Sequence, residues 1–129
     1  MDNIEFRVIE LFDNYNEKKI NVVQIIINGN DLLDIFSNYA CGDYMKASEL
    51  YMWLTDKEYS SQYGSYLSCC PSCREPGCSS VSVMITETDD CVIWDRFHVE
   101  HEETEFDYKF VFDKEEYQRK VDELCQKGC

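Results

Sequence analysis

The chain has 129 residues, the size of one compact domain over residues 1–129, and 26 Asp and Glu against 12 Lys and Arg give it a formal charge of −14. That balance weighs against nucleic acid, whose affinity for proteins rests on cations that displace phosphate counterions, and against anionic membrane surfaces. An apolar share of 44% predicts a packed core, while no apolar run reaches the ~18 residues of a membrane helix and the start, Met1-Asp2-Asn3-Ile4-Glu5, lacks the pattern of a secretory signal, so a soluble cytoplasmic protein is expected.

Ile4, Phe6 and Val8 alternate with polar residues, Asp13 to Glu17 supply turn residues, and Ile20 to Ile27 form a β-branched run, which predicts a hairpin. Asn28-Gly29-Asn30-Asp31 breaks the second strand and offers N-caps for a short helix bearing Leu32, Leu33, Ile35 and Phe36. Residues 37 to 68 scatter seven aromatic residues without a period and read as loop-rich, with a short helix or strand near Ala47 to Leu54. Val81, Val83 and Ile85, then Cys91 to Trp94, predict a second hairpin around Thr86 to Asp90, and Phe106, Tyr108, Phe110 and Phe112 keep the period of two of a half-buried strand. A final amphipathic helix carries Tyr117, Val121, Leu124 and Cys125 on its apolar stripe. Asp113 and Glu116 form a capping box, Phe112 and Tyr117 a hydrophobic staple, and Gly128 is the expected stop. The class is α+β: an antiparallel sheet of hairpins, a short helix after the second strand and a C-terminal amphipathic helix.

Four of the eight cysteines fall between Cys69 and Cys78, in Cys69-Cys70-Pro71-Ser72-Cys73-Arg74-Glu75-Pro76-Gly77-Cys78. Pro71 and Pro76-Gly77 impose turns that draw Cys70, Cys73 and Cys78 together, a knuckle that suits tetrahedral zinc, with His101, His98, Cys69 or Cys91 as fourth ligand. The tentative metal set is Cys70, Cys73, Cys78 and His101. Free thiols packed as small apolar side chains stand beside that reading, as does a disulfide, which a reducing compartment disfavours. A thioredoxin-type site is disfavoured because Pro76-Gly77 would break the helix that such a motif must open. His98-Val99-Glu100 follows the cysteines instead of preceding them, the reverse of zinc deaminases. His98 and His101 otherwise lie in an acidic stretch expected to be a solvated loop.

These features together resemble a family of small uncharacterised bacterial proteins. That family has an I-x-I-N-G turn and Leu-rich helix, a C-x-C-G-x-x-G-C loop, a hairpin ending W-x-x-F-x-x-P-H-R and a terminal F-x-F-D-x-x-x-Y helix start. The corresponding residues are Ile25 to Gly29 with Leu32 and Leu33, Cys73 to Cys78, Trp94 and Phe97 with His101, and Phe110 to Asp113 with Tyr117. Pro71 stands where the pattern has its first cysteine, Arg74 replaces a glycine, and Glu100 and Glu102 flank His101 in place of proline and arginine. The resemblance implies a fold and no particular activity.

No catalytic motif and no dinucleotide or phosphate loop occurs in the sequence. The expected function is that of a small acidic interaction module, such as an immunity-type inhibitor of a basic protein, with a structural cysteine loop for which zinc and free thiols are both open. The alternative is a metal-dependent enzyme with Cys73, Cys78 and His101 as ligands and Glu75 or Glu100 as acid–base group.

Overall fold

A computed structural model describes residues 1–36, 42–56, 58–71, 73–74, 80–99 and 106–128. Strands β1 (Ile4–Asp13) and β2 (Lys18–Ile27) form an antiparallel hairpin that stays in register from Ile4 opposite Ile27 to Asp13 opposite Lys18. Its turn is organised by Asp13, whose carboxylate accepts the Tyr15 N–H at 2.9 Å and the Asn16 side-chain amide at 2.8 Å. After Ile27, Asn28 (φ +52°) and Gly29 (φ +83°) make a two-residue hairpin turn into β3 (Asn30–Asp31). Both central residues have positive φ, the type I′ geometry that matches strand twist and favours Asn-Gly. The expected helix follows at once as α1 (Leu32–Ile35), with the Asp31 carboxylate accepting the Leu33 N–H at 2.9 Å.

The aromatic-rich middle contains short strands β4 (Asp43–Tyr44), β5 (Ser65–Tyr66) and β6 (Ser68–Cys69) and the helix α2 (Ala47–Thr55). Residues 65 to 69 serve two partners in succession: β5 pairs with β7 (Val81–Glu87), the Leu67 N–H still donates to the Val81 carbonyl at 2.8 Å, and β6 then pairs with β4. On the other side the Val23 N–H donates to the Met45 carbonyl at 3.0 Å, so this segment joins the first hairpin to the second.

β7 continues through β8 (Cys91–Val99) to β9 (Phe106–Asp113). Strand β8 runs past Trp94, where the sequence placed its end and a solvated loop. Arg96, at φ +52°, occupies a bulge where the register slips against both neighbouring strands. The extra residue resets the alternation, so Trp94 and Phe97, three apart, are both fully buried. His98 therefore lies in the strand and is buried, not in a solvated loop.

Helix α3 (Lys114–Gly128) buries Tyr117, Val121 and Leu124 against the sheet, and the Tyr117 hydroxyl accepts the Trp94 indole N–H at 3.2 Å. The staple forms, with the Phe112 and Tyr117 rings stacked at 5.8 Å. Only half of the capping box does. Asp113 accepts the Glu116 N–H at 3.0 Å, but Glu116 turns along the helix to Lys120, also at 3.0 Å, while Asp113 remains in register with Cys91. Gly128, the expected stop, is the last residue of the helix, and a Cβ there would come within 2.5 Å of the Ala47 Cβ, so it also permits the close crossing of α2 and α3.

The chain start protects the outer edge of β9. The Asp2 N–H donates to the Val111 carbonyl at 2.9 Å, and the Asp2 carboxylate accepts the Val111 N–H at 2.7 Å and the Asn28 side-chain amide at 3.0 Å. The Val111 hydrogen bond, then that of Asn28, holds the Asp2 pKa below the usual value of 3.8 despite partial burial. A pKa depressed by folding contributes stability above the unfolded pKa and loses it as pH falls through the folded one. Asp2→Ala is expected to cost about 1 kcal/mol at neutral pH, a figure discounted for partial exposure. Urea denaturation should show the gap between wild type and variant closing below about pH 4.

Candidate functional site

The cysteine segment starts in the continuous strand at 65–69 and turns at once. The Arg74 N–H donates to the Cys70 carbonyl at 2.8 Å, closing a turn that holds both Cys70 and Cys73. Arg74 ends that turn at φ +60°, a conformation that favours glycine. Its side chain is only 8% exposed and runs back onto β4. Nη1 reaches the Asp43 carboxylate at 3.2 Å and Nη2 donates to the Tyr44 carbonyl at 2.6 Å, while Nε is buried with no hydrogen-bond partner. Asp43 is oriented for this contact, because its other oxygen accepts the Tyr44 N–H at 2.7 Å.

Tyr44 links the loop to the first hairpin. Its carbonyl also accepts the Cys69 thiol at 3.4 Å, and its hydroxyl donates to Asp31, which accepts the Gln24 amide at 2.8 Å and caps α1. Burial, followed by the hydrogen bond and negative charge of Asp31, pushes the Tyr44 pKa up to about 12, so it stays a protonated donor at neutral pH. Burial does the same to Cys69, whose thiol is raised to about 12 although Arg74 pulls the other way. Burial also opposes the charge of Asp13. Hydrogen bonds from Asn16 and from the Tyr15 and Asn16 N–H groups, helped by Arg74, nevertheless hold its pKa below the ordinary aspartate value.

Of the expected metal set, Cys70 and Cys73 share this turn, and Cys78 and His101 lie outside the described residues, as do Glu75 and Glu100. Among the described residues, no three His, Cys, Asp or Glu converge on a common point. Cys69 is a thiol donor rather than a thiolate. Cys91 opens β8 opposite Asp113, roughly 20 Å of extended chain from His98, so it does not join the loop. The His98 ring stacks flat on Tyr63 at 3.6 Å, and its Nδ1 is buried without a partner.

A second feature is a polar groove of about 440 Å³ on the first hairpin, lined by Asn3, Glu5, Arg7, Gln24, Asp31 and Asp34 among others. No motif or period marks it, because its lining comes from two strands and a helix start that meet only through the Asn28-Gly29 turn. The role of Arg74 was also hidden, since an arginine in a turn of Ser, Pro and Glu looks solvent-exposed.

No protein-family model matches the chain, and no curated protein and no solved structure matches it.

In the native protein a maleimide should label Cys73, which is half-buried, at least about 100-fold faster than Cys69, whose thiolate is suppressed by burial. Arg74→Ala should cost about 2 kcal/mol in urea denaturation, less than for a fully buried pair because Asp43 is 33% exposed. The same variant should speed the labelling of Cys69. Arg74→Lys, which keeps the charge but loses the fork, should fall between.

Proposed function

We propose that this chain is a small acidic interaction module whose partner is a basic protein, in the manner of an immunity-type inhibitor. The observation that carries this reading is how little of the acidity is neutralised internally. Among the described residues, Arg7, Lys19, Arg74, Arg96, Lys114, Arg119 and Lys120 pair with Glu5, Glu10, Asp43, Asp95, Glu87, Glu123 and Glu116. Five of the 26 acidic residues lie outside the described residues; of the other 21, seven are met in this way, and the full sequence carries a net charge of −14 on a domain of modest surface. A field of that sign and size accelerates encounter with cationic surfaces and repels anionic ones. The groove beside Glu5, Asp31 and Asp34 offers a concave part of this surface to a basic side chain.

On this reading the cysteine loop is structural. The turn that holds Cys70 and Cys73 supplies two soft donors, and zinc would take Cys78 and His101 as its other ligands. Protein purified under reducing conditions is expected to carry one zinc per chain by elemental analysis. Cys73→Ser should lose it, and a zinc-free wild type would remove the metal from the account.

Affinity capture followed by titration with the purified partner tests the main proposal. The partner should be basic, and its Kd should weaken at least about ten-fold between low salt and about 0.5 M salt. Glu5→Gln with Asp34→Asn should weaken it further. An affinity indifferent to salt would contradict the reading.

A further inference from the structure

We infer that a second pocket, at the C-terminal end of α2, binds an alkylammonium cation, presented by a lysine side chain of the basic partner. The inference rests on the preceding reading for the identity of the partner. The pocket itself rests on its own geometry. It has a volume of about 380 Å³ and is lined by Trp53, Leu54, Asp56, Tyr59, Ile85 and Glu87 among others.

Two aromatic walls define it. The Trp53 ring meets Tyr59 at 5.2 Å and 82° and Tyr66 at 5.0 Å and 85°, and these two perpendicular contacts hold the indole in place. The Ser65 hydroxyl donates to the Trp53 carbonyl at 2.9 Å and ties this turn of α2 to β5. Tyr59 is 40% exposed, as a wall open to an incoming side chain must be. Aromatic ring faces attract cations through their quadrupole, most strongly in tryptophan.

Three further sources of negative potential meet there. Asp56 caps the C-terminus of α2, and its carboxylate is oriented by the Glu58 N–H at 2.9 Å. Glu87 lines the pocket from β7; its ion pair with Lys114 is long, at 4.0 Å, and that lysine also donates at 2.9 Å to the Thr88 carbonyl, so Glu87 is only weakly neutralised. The last turn of α2 has no basic residue to offset the negative end of the helix dipole. A carboxylate at a helix C-terminus opposes helix stability, and a second one nearby compounds the repulsion. Apolar contacts from Leu54 and Ile85 suit the methylene stem of a lysine, whose head would then lie between the rings and the carboxylates.

The test is a two-dimensional NMR titration of the Trp53 indole N–H with N-acetyl-lysine methylamide, using the norleucine analogue as its neutral isostere. The lysine probe should give a saturable shift and the norleucine probe none. Asp56→Asn with Glu87→Gln should weaken binding at least about five-fold, as should Tyr59→Leu, both at exposed or partly exposed positions that leave the core intact. Equal binding of both probes, no saturable shift, or unchanged affinity in the carboxamide variant would overturn the inference. If the Trp53 titration fails while a basic protein still binds in a salt-sensitive way, the pocket falls and the wider reading stands. If the lysine probe binds but no basic protein does, the wider reading falls and the ligand is a free amine.

Discussion

One buried cation fixes the layout of this acidic domain. Arg7, Arg96 and Arg119 are each more than half exposed, whereas Arg74 is 8% exposed and pressed onto β4. A guanidinium taken out of water needs partners in a planar arrangement, and Asp43 with the Tyr44 carbonyl provides them. The same peptide carbonyl accepts the Cys69 thiol, and the same residue's hydroxyl reaches Asp31, which caps α1 and holds Gln24. The cysteine turn, the short sheet of β4 and β6, and the end of the first hairpin are thus joined by one polar chain. Disturbing Arg74 would leave Asp43 without its cation and the Tyr44 carbonyl with only the weak Cys69 thiol as donor, so the effect should spread along that chain rather than stay in the loop.

The regular elements were legible because their apolar residues follow simple patterns in the sequence. Alternation identified β1, β7 and β9, a β-branched run identified β2, and Phe112 with Tyr117 identified the entry to α3 through a contact five residues apart that needs no tertiary knowledge. Legibility stopped where a local device changed the period. The bulge at Arg96 shifts the inward face by one residue, so the buried set in β8 reads Val92, Trp94, Phe97, His98 and Val99 and looks irregular in the sequence. His98 consequently seemed to belong to the acidic stretch after it. Gly128 closes α3 as expected, and its second role, leaving room for Ala47 at the crossing with α2, shows only once the second helix is placed.

The functional features were less legible than the fold. Cysteine spacing pointed to the loop, and the structure does place Cys70 and Cys73 in one turn. What holds that turn is a charge pair across 31 positions of sequence, and no spacing rule reaches that far. The aromatic pocket was hidden for another reason: Trp53, Tyr59 and Glu87 come from a helix, the segment after it and a distant strand. The scattered aromatic residues between 37 and 68 had no period because several of them serve this pocket and the His98 stack instead of a helix face or a sheet face.

These features divide the molecule by charge. The cysteine turn uses its cation internally, while Asp34 in the groove on the first hairpin and Asp56 in the pocket at the end of α2 are exposed to solvent. The most direct test of this arrangement is NMR of the arginine side chains at neutral pH. Burial between Asp43 and Tyr44 predicts resolved, slowly exchanging Nη protons for Arg74, with a cross-peak to the Cys69 or Tyr44 protons, while Arg7, Arg96 and Arg119 give averaged, fast-exchanging signals. An Arg74 guanidinium that rotates and exchanges as freely as the other three would contradict the account.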